Sequence, residues 1–528
     1  MRGPRRGSSQ RSGYKPFPQN EATAGTTTIP APVGGWNARD SVAAMRATDA
    51  VVMDNFFPGT SDVSLRPGSD NWLTALPSNA TAFLPYNKPI GGNLFVSTAT
   101  GIYDATSAGA AGSAVTTCTN GEWSSVSFIN TAGAYLVAVN GVDLMKNYNG
   151  TTWVNVNGAS TPAITGVTTS TLETVCLHKR RLWFTQTSSM DLWYLDVDAI
   201  GGAATRFPVG PIFARGGRVI AAASWTIDGG KGVDDLFAIA SSEGELAIYQ
   251  GTDPTATATW ALVGVYYVGE PIGKRCFTRY GGDLLYLSKQ GCFPLSKQLL
   301  SATIDRSQAI SFKIDGAFLA ATSTYGSVAG WEAVVYPDTN ALIVNVPISA
   351  NEISYQYVMN NITKAWCRFL GWNMRCFTVF NGELYGAGGT VVKKMWTGTS
   401  DSGISIVGLI AQAYNNLGVS GQKNVSLARP NVSIQGSATL AFSLDADYKT
   451  SEAYTQNTFL APSDESVWDT ALWDTATWAG DLSATESKWL TVPNDLGYLY
   501  SLRLRLTTSV ARFSWTSTDF AVRPAGIL

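Results

Sequence analysis

LFAIASSEGELAIYQG (236–251) reads as a short apolar strand, a Ser/Gly turn and a second strand ending at an aromatic residue. The same unit is written again at LFVSTATGIYDAT (94–106), YLVAVNGVDLMKNYNGTTW (135–153) and RLWFTQTSSMDLWYLD (181–196). It returns at LLYLSKQGCFPLS (284–296), ALIVNVPISANEISYQYVMNNITKAWCRF (341–369) and ELYGAGGTVVKKMW (383–396). Successive copies begin 41 to 57 residues apart. A strand-built period in the forties to fifties is the spacing of β-propeller blades. Runs such as Leu284-Leu285-Tyr286-Leu287 alternate only weakly, as expected of strands packed on both faces. The copies therefore predict an all-β chain with a propeller of six to seven blades over residues 80–400. A propeller is a scaffold, so its function is to be sought at its rims and partners.

Outward from the repeats the character changes. After Trp396 the unit stops, and Asp401-Ser402-Gly403 is a candidate hinge. Leu502-Arg503-Leu504-Arg505-Leu506 alternates strictly, which marks a strand with one wet face. Residues 401–528 read as a separate antiparallel β-sandwich of jelly-roll-like type. Within it SVWDTALWDTATWAG (466–480) spaces Trp468, Trp473 and Trp478 five residues apart, a period of neither helix nor strand. A string of turns with rings plugging the sandwich edge is the first account, and an exposed aromatic ladder for a partner protein or a sugar is the second.

Towards the N-terminus, residues 34–79 form a segment expected to pack on the β-domains. DAVVMDNFF (49–57) suits a helical turn or a strand, and VSLRPG (63–68) an edge strand stopped by Pro67. Residues 1–33 read as an extended, flexible basic arm. Arg2, Arg5, Arg6, Arg11 and Lys15 precede the first acid, Glu21, and the stretch is too polar to offset its chain entropy. Such an arm is either a solvated tail or a strap that orders on a partner.

Composition narrows the function. Of 528 residues only 14% are charged, and the formal net charge is −2, which argues against nucleic-acid binding by bulk charge. The six cysteines form no CxxC pair and His178 is the only histidine, so neither a zinc site nor a disulfide framework is expected. His178, in LHKRRLWF (177–184), is assigned a surface or blade-edge place rather than a catalytic one. Asn-Gly pairs at 120, 140, 149 and 381 signal type I′ hairpins. NYNGTTW (147–153) is an Asn-Gly hairpin of this kind, with Tyr148 where an Asp-box would carry its acid. Asp228, Asp234 and Asp235 flank a Gly-rich loop without EF-hand spacing and read as solvated acids. SQAISFKI (307–314) is the best short helical candidate. Residues 1–20 hold no apolar h-region and no stretch approaches a bilayer-spanning length, so neither a secretory signal nor a membrane span is expected, and no cofactor, metal or enzyme activity is predicted.

The order of motifs GGWNARD (34–40), DAVVMDNFFPGTSDVSLRPG (49–68) and LFVSTATGIYDATS (94–107) resembles the opening of the tail tube proteins of short-tailed bacteriophages, also called nozzle or tail hub proteins. The shared layout holds a Gly-Gly start, an Asn at Asn55 and an Arg66-Pro67-Gly68. WTIDGGKGVDDLF (225–237), YQGTDPTATATW (249–260) and YVMNNITKAWCRF (357–369) also resemble that family. The resemblance covers most of residues 34–400 and implies a structural virion protein. It implies a hexameric ring below the portal-adaptor (head–tail connector), passage of double-stranded DNA through the tube, attached fibres or tailspikes, and assembly in the host cytoplasm. The basic arm and the Trp468, Trp473 and Trp478 series are then candidate partner contacts. The competing expectation is a propeller that binds glycans or hydrolyses glycosides.

Overall fold

The computed structural model describes residues 25–228, 233–256, 259–298, 304–349, 353–450, 454–459, 483–486, 488–492 and 496–525. The repeats form a β-propeller. Each copy quoted above is the middle of one antiparallel meander, and the strand before it lines the axis. Blade 1 runs from Ala80–Asn87 to Thr116–Thr117, blade 2 from Ser124–Asn130 to Trp153–Val156, and blade 3 from Leu172–His178 to Thr205–Pro208. Blade 4 spans Val219–Asp228 to Trp260–Tyr267, and blade 5 is the three-stranded sheet Phe277–Tyr280, Asp283–Ser288 and Gly291–Pro294. The last blade joins Cys376–Phe380, Glu383–Gly388 and Val391–Met395 to Ser69–Thr74, a strand that precedes the whole propeller in sequence. These are six self-contained blades. The circle is completed between the fifth and the last by the meander Glu332–Tyr336, Ala341–Ser349, Ile353–Asn360 and Trp366–Phe369, whose first strand packs between the two neighbouring inner strands.

That shared meander does not end as a blade. Its sheet continues through Asp49–Asp54 to Ile406–Gln412, Tyr500–Thr508, Ala438–Ala446 and Thr455–Phe459. A second sheet, built on the long strands Lys423–Gln435 and Arg512–Pro524, faces it. Between them lie Leu502, Leu504 and Leu506, whose intervening Arg505 is exposed, as the alternation required. One hydrophobic core runs from Trp366 and Trp372 in the shared sector to Phe442, Phe513 and Trp515 in the sandwich. Propeller and sandwich are therefore fused through both a sheet and a core.

Several local readings change. Residues 25–30, counted above with the arm, pair with Ser517–Val522 as a strand of the sandwich. DAVVMDNFF forms strands on both sides of Asn55, whose φ of 59° breaks it. Val63–Leu65 is no edge: it pairs with Phe56–Pro58 on one side and with Arg512–Pro524 on the other. The helix lies at Asp315–Tyr325, after two 3-10 turns over 306–314. Of the Asn-Gly pairs at 120, 140, 149 and 381, only Asn381-Gly382 has both residues at positive φ between directly paired strands. In Asn149–Thr152 the Asn149 Oδ1 accepts from the backbone N–H of Thr151 and Thr152, closing a wider turn between Tyr148 and Trp153. A two-residue turn with positive φ at both positions does occur where no glycine announces it, at Lys179-Arg180.

The junction of the two units is held by a buried cation. Arg66, 2% exposed, donates Nε–H to Asn55 Oδ1 at 2.8 Å and both Nη groups to Asp401 at 3.0 and 2.6 Å. Its remaining donors reach the carbonyls of Pro67 and Leu370, each at 2.9 Å. Asn55 in turn donates to Val407 O and accepts from Leu370 N–H. Gly68 passes so close to the chain that a Cβ there would sit 1.9 Å from Ser400 O. Removing one partner of such a pair strands a buried charge, at a cost of about 3–5 kcal/mol. Arg66→Met is expected to lose stability of that order in urea unfolding, and the double variant Arg66→Met/Asp401→Asn to recover part of it. Equal stability of wild type and R66M would contradict this role.

Candidate functional site

The inner strands of the propeller converge on its axis, and the residues just before them meet there. A recess of about 510 Å³ opens among them. Every sector contributes: Phe83, Trp123, Thr174, Arg218, Lys274, Trp331 and Arg375 line it in blade order. Arg275 and Glu122 add two more charges.

These charges form a paired network. Glu173 receives Arg218 at 2.8 Å and Lys274 at 2.9 Å. Glu332 receives Arg275 at 2.9 Å and also the backbone N–H of Phe377. Glu122 receives Arg375, and Arg275 reaches the carbonyl of Thr81. The chain thus brings blade 2 and the last blade, blades 3 and 4, blades 3 and 5, and blade 5 and the shared sector into direct ionic contact. Burial pushes the Glu332 carboxyl above its ordinary range, against the pull of Arg275. Glycoside hydrolysis uses two carboxylates facing a sugar, one as acid and one as base or nucleophile. Here each axial carboxylate is a counter-ion to arginine or lysine, and the surface left facing the recess is cationic.

None of these seven charged residues was singled out from sequence, although a signal exists. Arg-Cys-Phe-Thr occurs at 275–278 and again at 375–378. In both copies the Arg faces the recess and the Cys is buried, its thiol pushed up to about 12 by burial. Charged residues also stand at or just before the inner strands at Glu122, Glu173, Arg218 and Glu332. The repeat is most regular in its middle hairpin, and these charged positions lie ahead of it in each copy.

The residues named from sequence fare differently. Arg2, Arg5, Arg6, Arg11, Lys15, Trp468, Trp473 and Trp478 lie outside the described residues, as does the loop 229–232. All six cysteines are free thiols, five of them buried. Among the described residues no cluster of three metal-ligating side chains occurs, and no helix is long and apolar enough to cross a membrane. His178 is not at the surface but 2% exposed, its ring tilted by 35° against Phe237 at 4.9 Å and within 3.0 Å of Ser224 Oγ through Nδ1. The Lys179-Arg180 turn beside it keeps the charges outside, tied to Asp235 and Asp198, while the ring turns inward.

No protein-family model and no curated protein matches the chain. Among solved structures it is similar to the extracellular domain of a hybrid two-component system protein from B. thetaiotaomicron. That match has 11% identity and a TM-score of 0.43, covering 76% of this chain and 56% of that one. It is also similar to a glycoside hydrolase family 43 arabinoxylan arabinofuranohydrolase from Bacillus subtilis, at 10% identity and TM-score 0.25, covering 94% and 99%. A third is the Pan2 WD40 domain of Neurospora crassa, at 8% identity and TM-score 0.34, covering 64% and 98%.

Burial holds His178 well below its ordinary value, at about 4 against 6.5. The fold keeps the ring neutral while the unfolded chain takes up a proton, so this contribution is complete above pH 6.5 and is lost as pH falls towards 4. The full loss is about 3 kcal/mol, of which about 1 kcal/mol is expected by pH 5.5. Urea unfolding at pH 7 and 5.5 is expected to show this drop in the wild type and a smaller one in His178→Gln. Identical drops in both proteins would refute it.

Proposed function

We propose that this chain is a structural subunit of the tail of a short-tailed bacteriophage. In this reading it forms a ring-shaped nozzle below the portal-adaptor that passes the genome and carries fibres or spikes. The observation that carries the reading is the junction around Arg66. The motif residues that support the family resemblance, Asn55 and Arg66-Pro67-Gly68, lie together in the knot that locks propeller to sandwich. A tube wall under load needs its units fixed to one another, and a shared sheet with a shared core supplies that. The near-neutral charge also suits a conduit, because each phosphate neutralised by lysine or arginine would retard passing DNA. A heterologous contact that closes on itself builds such a ring.

The reading is tested by negative-stain microscopy and mass photometry of the full chain, alone and with the adaptor protein encoded beside it. Closed rings of six copies are expected, with adaptor binding at one face and no saccharide turnover. A monomer or small oligomer that binds or cleaves glycans would replace this reading with the lectin or hydrolase alternative. Removal of residues 1–24, which carry Arg2, Arg5, Arg6, Arg11 and Lys15, is expected to leave the melting temperature unchanged while weakening ring or adaptor assembly. Residues 25–30 are retained because they are a strand of the sandwich. Unchanged assembly would make the arm a passive tail.

A further inference from the structure

We infer that the axial recess of the propeller is a binding site for a small organic or inorganic oxyanion. Four cations meet there, Arg218, Lys274, Arg275 and Arg375, against three carboxylates, Glu122, Glu173 and Glu332. The shortfall is localised: Arg218 and Lys274 share the single carboxylate of Glu173. Two of the three carboxylates also stand behind the surface, for Glu173 and Glu332 do not line the recess while all four cations do. The cations also keep open surface: the Arg218 and Lys274 side chains are 36% and 34% exposed, while the Glu173 they share is 7% exposed. Donors left facing a recess in this way are natural partners for an oxyanion.

The rest of the lining suits such a guest. Ser124, Ser125 and Thr174 bring hydroxyls to the same wall. At about 510 Å³ the recess falls within the range of small-molecule sites, too small for a folded partner. Carboxylate and phosphate share the required chemistry and are separated by the test. The inference does not depend on the ring-forming role, since the recess belongs to a single chain.

Calorimetric titration of the full chain with citrate and with inorganic phosphate, at constant ionic strength set by chloride, addresses this directly. Saturable binding of one anion per chain is expected for at least one of the two, and the tighter of them names the group recognised. Lys274→Gln removes the excess cation while leaving Arg218 on Glu173, and is expected to weaken binding at least tenfold. Lys297→Gln, on an exposed lysine away from the axis, is expected to leave binding unchanged. Selenate soaked into crystals of the wild type gives a readout independent of any variant, with anomalous density expected between Lys274 and Arg375. No saturable binding of either probe, equal affinity of the wild type and K274Q, or selenate found only at other surfaces would overturn the inference.

Discussion

A guanidinium buried without water must have every donor met or it destabilises the fold around it. Arg66 meets all five of its N–H groups: one on Asn55, two on Asp401 and two on backbone carbonyls. Its charge also lies 5.0 Å from the Trp372 ring centroid. These partners come from separate parts of the chain: the strand break at Asn55, the end of the shared meander at Leu370 and the entry to the sandwich at Asp401. Satisfying one side chain therefore brings three segments to one point. The strand that closes the propeller, Ser69–Thr74, starts three residues beyond it. Ser69 itself donates to Asp401. The closure of the propeller and the attachment of the sandwich thus depend on one electrostatic requirement.

The axis shows the opposite use of charge. Inner strands must come close to one another at the centre of any propeller, and their first residues are crowded there. Apolar residues would seal the centre. This chain instead places arginine, lysine and glutamate at these positions, and lets them pair across blade boundaries. The pairs join neighbouring and next-but-one sectors at the axis, where the inner strands of different blades share no ladder. The same arrangement leaves more positive than negative groups facing the recess. Stabilisation of the ring and a cationic axial surface follow from one set of residues.

The fold class was legible because each blade repeats a local pattern: apolar strand, small-residue turn, apolar strand. The sandwich strand 500–508 was legible for the same reason, since alternation of leucine and arginine records which face is wet. Turn geometry was less so. Asn-Gly favours positive φ but does not demand a two-residue hairpin, and only Asn381-Gly382 became one. At Lys179-Arg180 the tertiary placement of His178 and Arg181 imposed the tight turn on residues with no preference for it. The burial of His178 was equally hidden, because three adjacent basic residues made its surroundings look wet. The axial charges escaped notice because a charged residue at the start of a strand is ordinary locally, and only the circle gathers such residues.

Local periodicity, by itself, determined that this protein is built of β-meanders in series with a different β unit after them. It did so because strand period and turn chemistry act over a few residues and are written in consecutive positions. Only the tertiary structure decided how the series closes, which N-terminal strands enter the sandwich, and that one meander belongs to both units. Those choices join residues hundreds of positions apart, such as Arg66 and Asp401 or Leu73 and Val392. Their cause is the burial of charge and apolar surface in three dimensions, for which no consecutive stretch of sequence carries a signal.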